Sequence, residues 1–511
     1  MTELADDRDV ADETPVAEAD RFRAGVSRSA LTSLFSIVVG IGGAVLISRR
    51  FGSALFGRYV TVSAPLAMLT LLSSLQEQVG FMHVGSPLVD QRGRFSALAW
   101  KTFLFSETLT VLAGVVVFGV SWWFLEGPAE SPDLVLPVAV LLIGYVLVGN
   151  LAWNIDGVLN ARRESGQLAR VRIIESVLQP ALPLLLSVWW LDLRALVAGA
   201  LVTTVFAATV RMVAIRGRLT RDIRPDEWAL AREDFKVVRR TGLQIFPGSF
   251  AGGLLDQTAL WIVRAVAGGG AAGDRVVGAF GRANNLTWRL QELTYRVSAL
   301  LLPSLSDTKA REDQEGFRST GQMAIVAYVA PLAGLVAILA GCSANVLRVF
   351  GADFVDGAEA LRILVVVSLL LAMDIFIGML LISLGQARVM ARTSVVGAVV
   401  MLAVIYPLTH AWGATGASLA VLLGQSVATG WRLQMLQEHL DGGLASLLPE
   451  RAWRLLVPPV LAGGTTWLLA RGSDGILRGI GAGSVGVAVF VGAWLVLGLR
   501  NAIVRRPEAA A

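Results

Sequence analysis

Cysteine, histidine and charge are all scarce in this sequence. A single cysteine, Cys342, among 511 residues excludes a disulfide framework and a thiolate metal site. The three histidines, His83, His410 and His439, are scattered without the spacing of metal ligands. No nucleophile lies near a candidate base in any motif, so neither an enzyme nor a bound metal or cofactor is expected. Charged residues make up only 16% of the chain and cluster between apolar runs.

Hydrophobic residues, in contrast, make up 55% of the chain, and its mean hydropathy is +0.64. Such a composition is typical of polytopic membrane proteins. Apolar runs long enough to span a bilayer recur fourteen times, so the predicted fold class is an all-α polytopic membrane protein with 14 transmembrane helices. The runs cover about 24–48, 59–83, 97–124, 135–158, 171–191, 195–215, 241–266, 276–302, 321–345, 360–384, 390–410, 413–435, 453–470 and 479–499.

Basic residues are distributed unequally between the loops. With the N-terminus inside, the cytoplasmic segments hold 30 Lys and Arg residues and the outer loops hold 9. This bias predicts that both termini are cytoplasmic. Only three of the 44 basic residues are lysines, which indicates a GC-rich genome, and the predicted location is a bacterial plasma membrane. The net charge of +5 is spread over short loops, so nucleic acid is not an expected partner, whereas membrane lipids are.

A weak internal repeat divides the chain at its longest basic loop. Gly57 and Gly278 lie in related motifs on either side of this loop, and Arg211 and Arg432 are offset along the sequence by the same interval as the two glycines. This common offset predicts two six-helix lobes in a parallel repeat. The predicted parts are a disordered cytoplasmic tail (1–22), an N-terminal lobe (23–215), a basic cytoplasmic linker (216–240), a C-terminal lobe (241–437), a loop with two further spans (438–500) and a cytoplasmic tail (501–511).

The eighth apolar run carries a polar stripe that cannot face lipid. At 100° per residue, its five polar side chains fall within an arc of roughly 80°. An ionised group at mid-bilayer costs from about 3 to about 17 kcal/mol, depending on method, so the stripe should face a wet cavity between helices. Guanidinium groups bind phosphate in a bidentate manner, and the predicted ligand is therefore anionic. The stripe consists of Arg282, Asn285, Arg289, Glu292 and Arg296. The alternative is a structural salt-bridge ladder between the lobes.

Four further residues are candidate substrate ligands. Asp256 and Arg264 lie eight residues apart on the seventh run and should flank the same cavity, with Asp256 as partner of a stripe arginine. Asn150 and Asn154, one helical turn apart, could bind sugar hydroxyls, although amides also join membrane helices to one another. A coupling ion, H⁺ or Na⁺, would need a carboxylate, and the candidates are Glu77, Glu107, Asp256 and Asp374.

Several short motifs occur in a characteristic order along nearly the whole chain. Because of these motifs and their order, the sequence resembles the oligosaccharide flippase family. This family is part of the exporter superfamily of multidrug, oligosaccharidyl-lipid and polysaccharide transporters. The motifs are Arg50-Phe51-Gly52, Phe56-Gly57-Arg58-Tyr59, Leu254-Leu255-Asp256, Leu302-Pro303, Phe350-Gly351-Ala352-Asp353-Phe354 and Gly413-Ala414-Thr415-Gly416.

The resemblance implies a two-lobed flippase that moves a polyprenyl-phosphate- or diphosphate-linked oligosaccharide by alternating access, for cell-surface polysaccharide synthesis. Two other functions stay open. A drug or metabolite exporter of the same superfamily would usually expose carboxylates, and here the stripe is net positive. A membrane glycosyltransferase or polymerase generally carries a long outer loop with acidic catalytic residues, and here the outer loops are short.

Overall fold

The computed structural model describes residues 15–73, 77–162, 164–310, 314–384, 386–440, 443–448, 451–472 and 475–499. Over these residues the chain folds into α-helices joined by short turns, without a β-strand. The α-helices are α1 (Pro15–Leu72), α2 (Glu77–Gly85), α3 (Arg92–Glu126), α4 (Val135–Gly144), α5 (Asn150–Ala161), α6 (Ser165–Leu186), α7 (Leu193–Ile215), α8 (Pro225–Ala267), α9 (Gly270–Ala310), α10 (Gln314–Ala324), α11 (Ala330–Gly341), α12 (Ser343–Arg348), α13 (Ala358–Ser383), α14 (Ala387–His439), α15 (Val457–Ala470) and α16 (Ile476–Val496).

Each of the fourteen apolar runs coincides with helix in this structure. The first run lies in α1, which turns at Gly52 (φ 72°) and continues into the second run, and the second run ends in α2. The eleventh and twelfth runs share α14, which turns at Gly413 (φ 56°). Both turns need a left-handed backbone that glycine adopts without steric cost. The fourth run comprises α4, a π-helical segment (Tyr145–Gly149) and α5, and the ninth comprises α10, a π-helical segment (Ile325–Val329) and α11.

Eight helical stretches of the described chain are long and apolar enough to cross a membrane, and two of them include residues of two runs each. Four runs fall outside this set: those in α6, α8, α9 and α15. The last of these helices is 14 residues long, and the other three carry charged side chains among their apolar residues. The all-α fold is confirmed.

Two boundaries differ from the sequence-based prediction. The predicted disordered tail is helical from Pro15, where α1 begins, while residues 1–14 and the tail 501–511 lie outside the described residues. The predicted basic linker is also helical from Pro225, because α8 starts there and continues without interruption into the seventh run. Proline at the first helical position and the carboxylate of Glu227, which accepts a hydrogen bond from the backbone N–H of Arg224 at 2.9 Å, explain this early start.

The two lobes meet at a crossing of α1 and α9, where the two glycines of the related motifs lie. A Cβ built at Gly57 would lie 1.8 Å from the carbonyl oxygen of Asp274, and one built at Gly278 would lie 2.0 Å from the carbonyl oxygen of Ser53. Ser53 and Asp274 are offset along the sequence by the same interval as the two glycines, so the contact is reciprocal. This is the geometry expected at a pseudo-two-fold axis between repeats of one sequence.

Candidate functional site: an arginine-bearing helix between two lobes

The polar stripe lies on α9, which packs against α1 of the N-terminal lobe and α13 of its own lobe. The guanidinium of Arg282 lies 3.8 Å from the ring centroid of Phe56, 5.1 Å from that of Phe350 and 5.9 Å from that of Phe354. Phe56 belongs to the first lobe, and the other two rings belong to the second. The three rings therefore form an aromatic cage around one arginine at the junction of the lobes.

Arg282 is only 4% exposed, and its Nε and Nη2 atoms have no hydrogen-bond partner within the described part of the chain. Cation–π contact contributes up to about 2 kcal/mol when desolvated, whereas a buried charge that lacks a partner costs several kcal/mol. The cage thus offsets only part of this cost. A buried guanidinium with two free donors is chemically suited to an anion that enters from outside the chain.

Seven residues further along α9, the guanidinium of Arg289 lies at the surface of α1. A Cβ built at Gly40 would be 3.1 Å from both Cζ and Nη2 of Arg289, so the guanidinium packs closely against α1 at this glycine. Arg289 is half-buried and Asn285 is exposed, whereas Leu286 and Leu290 pack against the main core. Asn285 is thus exposed on α9 while Arg282 is enclosed by rings of the main core, and the wet cavity along the whole stripe stays a prediction.

A second set of polar contacts fastens the two lobes near the same end of the bundle. Arg264 of α8, 1% exposed, donates hydrogen bonds to Asp274 at 2.5 Å and to the hydroxyl of Ser131 in the first lobe. The backbone N–H of Ser53 donates to Asp353 at 2.8 Å. These bonds close the lobes over Arg282, and Arg264 acts in this structure as a link between lobes rather than as an open ligand.

Asn150 and Asn154 lie inside the first lobe and not on an open surface. They are 0% and 5% exposed. Asn150 donates to the carboxylate of Glu107 at 2.5 Å, and both amides donate to the hydroxyl of Ser106 at 3.2 Å. Their amides join α5 to α3, so they are closed to a sugar in this state, and the sugar-binding role stays a prediction.

The aspartate of α13 that was a candidate for ion coupling is held by an arginine. Arg432 of α14 bonds to Asp374 and donates from Nε to the hydroxyl of Thr393 at 2.7 Å. The first lobe has an equivalent pair, in which Arg211 of α7 donates to Asp156 of α5 at 2.7 Å. Because its charge is balanced within the lobe, Asp374 is a poor site for a coupling ion.

Three predicted site residues lie outside the described side chains, namely Asp256, Glu292 and Arg296. Among the described residues no group of three His, Cys, Asp or Glu side chains could hold a metal ion. Sequence reasoning missed the aromatic cage, although two of its members, Phe56 and Phe350, each precede a glycine in one of the motifs described above. It also missed Asp274 as the partner of Arg264 and Asp156 as the partner of Arg211.

No protein-family model and no curated protein sequence matches this chain. Solved structures do resemble it. The lipid II flippase MurJ in an inward closed conformation superimposes with a TM-score of 0.69 at 13% identity, over 93% of this chain and 99% of the flippase. An inward-facing multidrug-resistance MATE transporter of the MOP superfamily gives 0.58 at 16% identity, over 81% and 95%. A Vibrio cholerae MATE transporter gives 0.57 at 12% identity, over 83% and 98%.

All three neighbours are transport proteins, and none is described as an enzyme. Their identities to this chain are low, so what they share with it is the arrangement of helices. The agreement extends over most of both chains in each case and includes both lobes. The chain is therefore a multi-pass membrane protein whose all-α fold is that of these transporters.

Proposed function

We propose that this protein is a flippase for a lipid whose head group carries phosphate or diphosphate, and that its substrate is a polyprenyl-linked oligosaccharide. The observation that carries the proposal is Arg282, a buried arginine with two free donors at the junction of the lobes. A cationic drug would be repelled by this charge, whereas a diphosphate would supply the missing acceptors. The lipid II flippase, whose name states a lipid substrate, has the same arrangement of helices.

The two described stripe arginines define the order of events. Arg289 is half-buried and Arg282 is enclosed, about 10.5 Å further along the helix at 1.5 Å per residue. A head group that enters from the cytoplasmic side would meet Arg289 first. Opening of the outer end would then separate the cage rings, because Phe56 lies on one lobe and Phe350 on the other, and would expose Arg282 to the phosphate. In this scheme of alternating access, Arg289 is reached from the cytoplasmic side and Arg282 from the outer side, after the aromatic cage has opened.

The setting we propose is a bacterial plasma membrane, with both termini in the cytoplasm and cell-surface polysaccharide synthesis as the pathway. H⁺ or Na⁺ would act as coupling ion. Of the two candidate carboxylates whose hydrogen bonds are described above, Glu107 is bound by the neutral amide of Asn150, whereas Asp374 is bound by Arg432. We therefore place the coupling ion at Glu107.

The test is lipid translocation in proteoliposomes that contain the purified chain and a fluorescent polyprenyl-diphosphate oligosaccharide. Arg282→Gln and Arg289→Glu should each reduce the rate by roughly 10- to 100-fold, the size of a lost charge-assisted hydrogen bond. Arg289→Lys should retain part of the activity, since it keeps the charge and loses the bidentate geometry. Arg275→Gln is the matched control, because Arg275 is exposed on the same helix.

Proton and sodium gradients imposed on the same vesicles test the coupling ion, and Glu107→Gln should remove the response to the gradient. The proposal fails if wild-type protein moves a cationic dye but no lipid, or if Arg282→Gln and Arg289→Glu move lipid as fast as Arg275→Gln.

A further inference from the structure

The cytoplasmic half of α8 has an open basic face that the stripe and the lobe contacts do not use. Lys236, Arg239 and Arg240 are exposed within five residues of one helix. Together with Leu243 and Gln244 they line a cleft of about 450 Å³. These three cations form a basic cluster on α8 that is separate from the arginine stripe on α9.

This face is held in a fixed direction by the packing of the opposite side of the helix. Val238 is buried, and a Cβ built at Gly80 of α2 would lie 2.5 Å from its carbonyl oxygen. Arg94 of α3 forms a bidentate ion pair with Asp234 at 2.7 and 2.8 Å. Because these contacts fix the rotation of α8, the basic side chains are presented outward, and binding a ligand would have to order only the side chains and not the helix.

The charges of the cleft are balanced only in part. Lys236 pairs with Glu233 at 2.8 Å, but both side chains are more than 60% exposed, which makes the pair weak. Arg239 and Arg240 have no ion-pair partner within the ranges that the structure describes. The cleft therefore keeps two guanidinium forks for a doubly charged or multivalent anion.

The position of the cleft along the helix indicates where that anion would come from. Arg240 directly precedes the seventh apolar run, and Leu243, 48% exposed, is the first apolar residue below the arginines. Basic side chains followed by an exposed leucine match the order of a lipid at the bilayer surface, phosphate first and hydrocarbon below.

From these observations we propose that the cleft of Lys236, Arg239 and Arg240 binds the phosphate head group of a membrane lipid on the cytoplasmic side. The site is independent of the proposed transport function, since none of its residues belongs to α9 or to the contacts between α1 and α9. An anionic phospholipid of the bilayer and a prenyl diphosphate share the chemistry that the cleft recognises.

The test measures lipid binding to the purified full-length protein in neutral detergent by native mass spectrometry. Phosphatidylglycerol, undecaprenyl diphosphate and phosphatidylcholine are the three probes. Each charge removed should weaken binding of phosphatidylglycerol about fivefold, so Lys236→Gln, Arg239→Gln and Arg240→Gln together should weaken it on the order of a hundredfold. For undecaprenyl diphosphate, the number of bound molecules should fall by one, because the proposed site on α9 still binds it. Phosphatidylcholine should bind weakly to all variants.

The matched control removes three exposed arginines elsewhere in the predicted cytoplasmic segments, at Arg216, Arg221 and Arg392. It should bind as the wild type does. Loss for both anionic lipids identifies a general lipid-phosphate site, and loss for undecaprenyl diphosphate alone identifies a carrier-lipid site; either result supports the proposal. Equal loss in the two triple variants, or unchanged binding in the cleft variant, overturns it. The single variant Arg240→Gln, with about a fivefold loss, provides the same comparison with the smallest change to the fold.

Discussion

At the scale of single residues, two arginines occupy equivalent places in the two lobes and serve the same purpose. Arg211 and Arg432 are related by the same sequence offset as the crossing glycines, and each binds an aspartate on the fourth helical span of its own lobe, Asp156 or Asp374. Both arginines and both aspartates are buried. The equivalence extends the repeat from backbone motifs to side-chain chemistry, and it assigns these charges to the interior of the lobes rather than to the transport path.

Removing one partner of such a pair should be far more damaging than removing both. Arg432→Met leaves Asp374 buried without a counter-charge, and we expect a loss of about 3–5 kcal/mol of stability. The double variant Asp374→Leu with Arg432→Met should recover most of it. Thermal unfolding of the full chain in detergent measures both.

The control for this experiment is Arg362→Met. It removes an exposed pair with Glu359, whose side chains are 41% and 61% exposed, and such a pair contributes about 0–1 kcal/mol. If Arg432→Met unfolds at the temperature of Arg362→Met, the buried pair does not stabilise the lobe.

At the scale of helices, the crossing of α1 and α9 depends on the absence of side chains. Gly57→Ala would place its methyl group 1.8 Å from a carbonyl oxygen of α9, a distance that no side-chain adjustment can relieve. We expect Gly57→Ala to destabilise the chain by more than the roughly 1–3 kcal/mol typical of overpacking, or to prevent assembly of the lobes. Gly278→Ala should behave in the same way, since the contact is reciprocal.

Gly42→Ala is the matched control on α1, because a Cβ at Gly42 would meet nothing within 4 Å. The yield of monodisperse protein and its unfolding temperature are measured for both variants, and both should be lower for Gly57→Ala than for Gly42→Ala. Should Gly57→Ala and Gly42→Ala give equal yields and unfolding temperatures, the close crossing is not required.

The sequence predicted helices well and side-chain partners poorly, for a physical reason. A membrane-spanning run is a local property of about 20 residues, so composition and charge bias were enough to find it. The partners of Arg211, Arg264 and Arg282 come from other helices. Asp156 is 55 residues from Arg211, Ser131 is 133 from Arg264, and Phe56 lies in the opposite half of the chain from Arg282. No local pattern encodes such contacts, and only the stripe itself, with its helical period, could be read from one segment.

At the scale of the whole molecule, the orientation in the membrane follows from loop charge. The predicted orientation places Ala271 outside and Asp226 inside, and both residues are exposed. Single cysteines at these positions in a Cys342→Ala background should differ in intact cells. A membrane-impermeant maleimide should label position 271 and not position 226 until the cells are permeabilised.

Labelling at position 226 in intact cells would reverse the orientation and contradict the positive-inside argument. Cys342 itself is 4% exposed and should react little, and its replacement by alanine removes a single sulfur atom. The same pair of cysteines also tests whether α8 crosses the membrane, since its two ends must then lie on opposite sides.

The glycine crossing has a mechanical consequence. It lies near the N-terminal end of α9, which the loop charges predict to be outside, and from Gly278 to Ala310 the helix continues for about 48 Å at 1.5 Å per residue. A long arm that pivots near one end converts a small angle there into a large displacement at the other, so a tilt of about 10° would move the inner end of α9 by roughly 8 Å. Two bare backbones in contact have no rotamers to rearrange, and such a joint can turn without repacking. While the aromatic cage around Arg282 stays closed, the protein therefore pivots near one end of α9 and moves most at the other, whereas opening of the cage would separate this crossing.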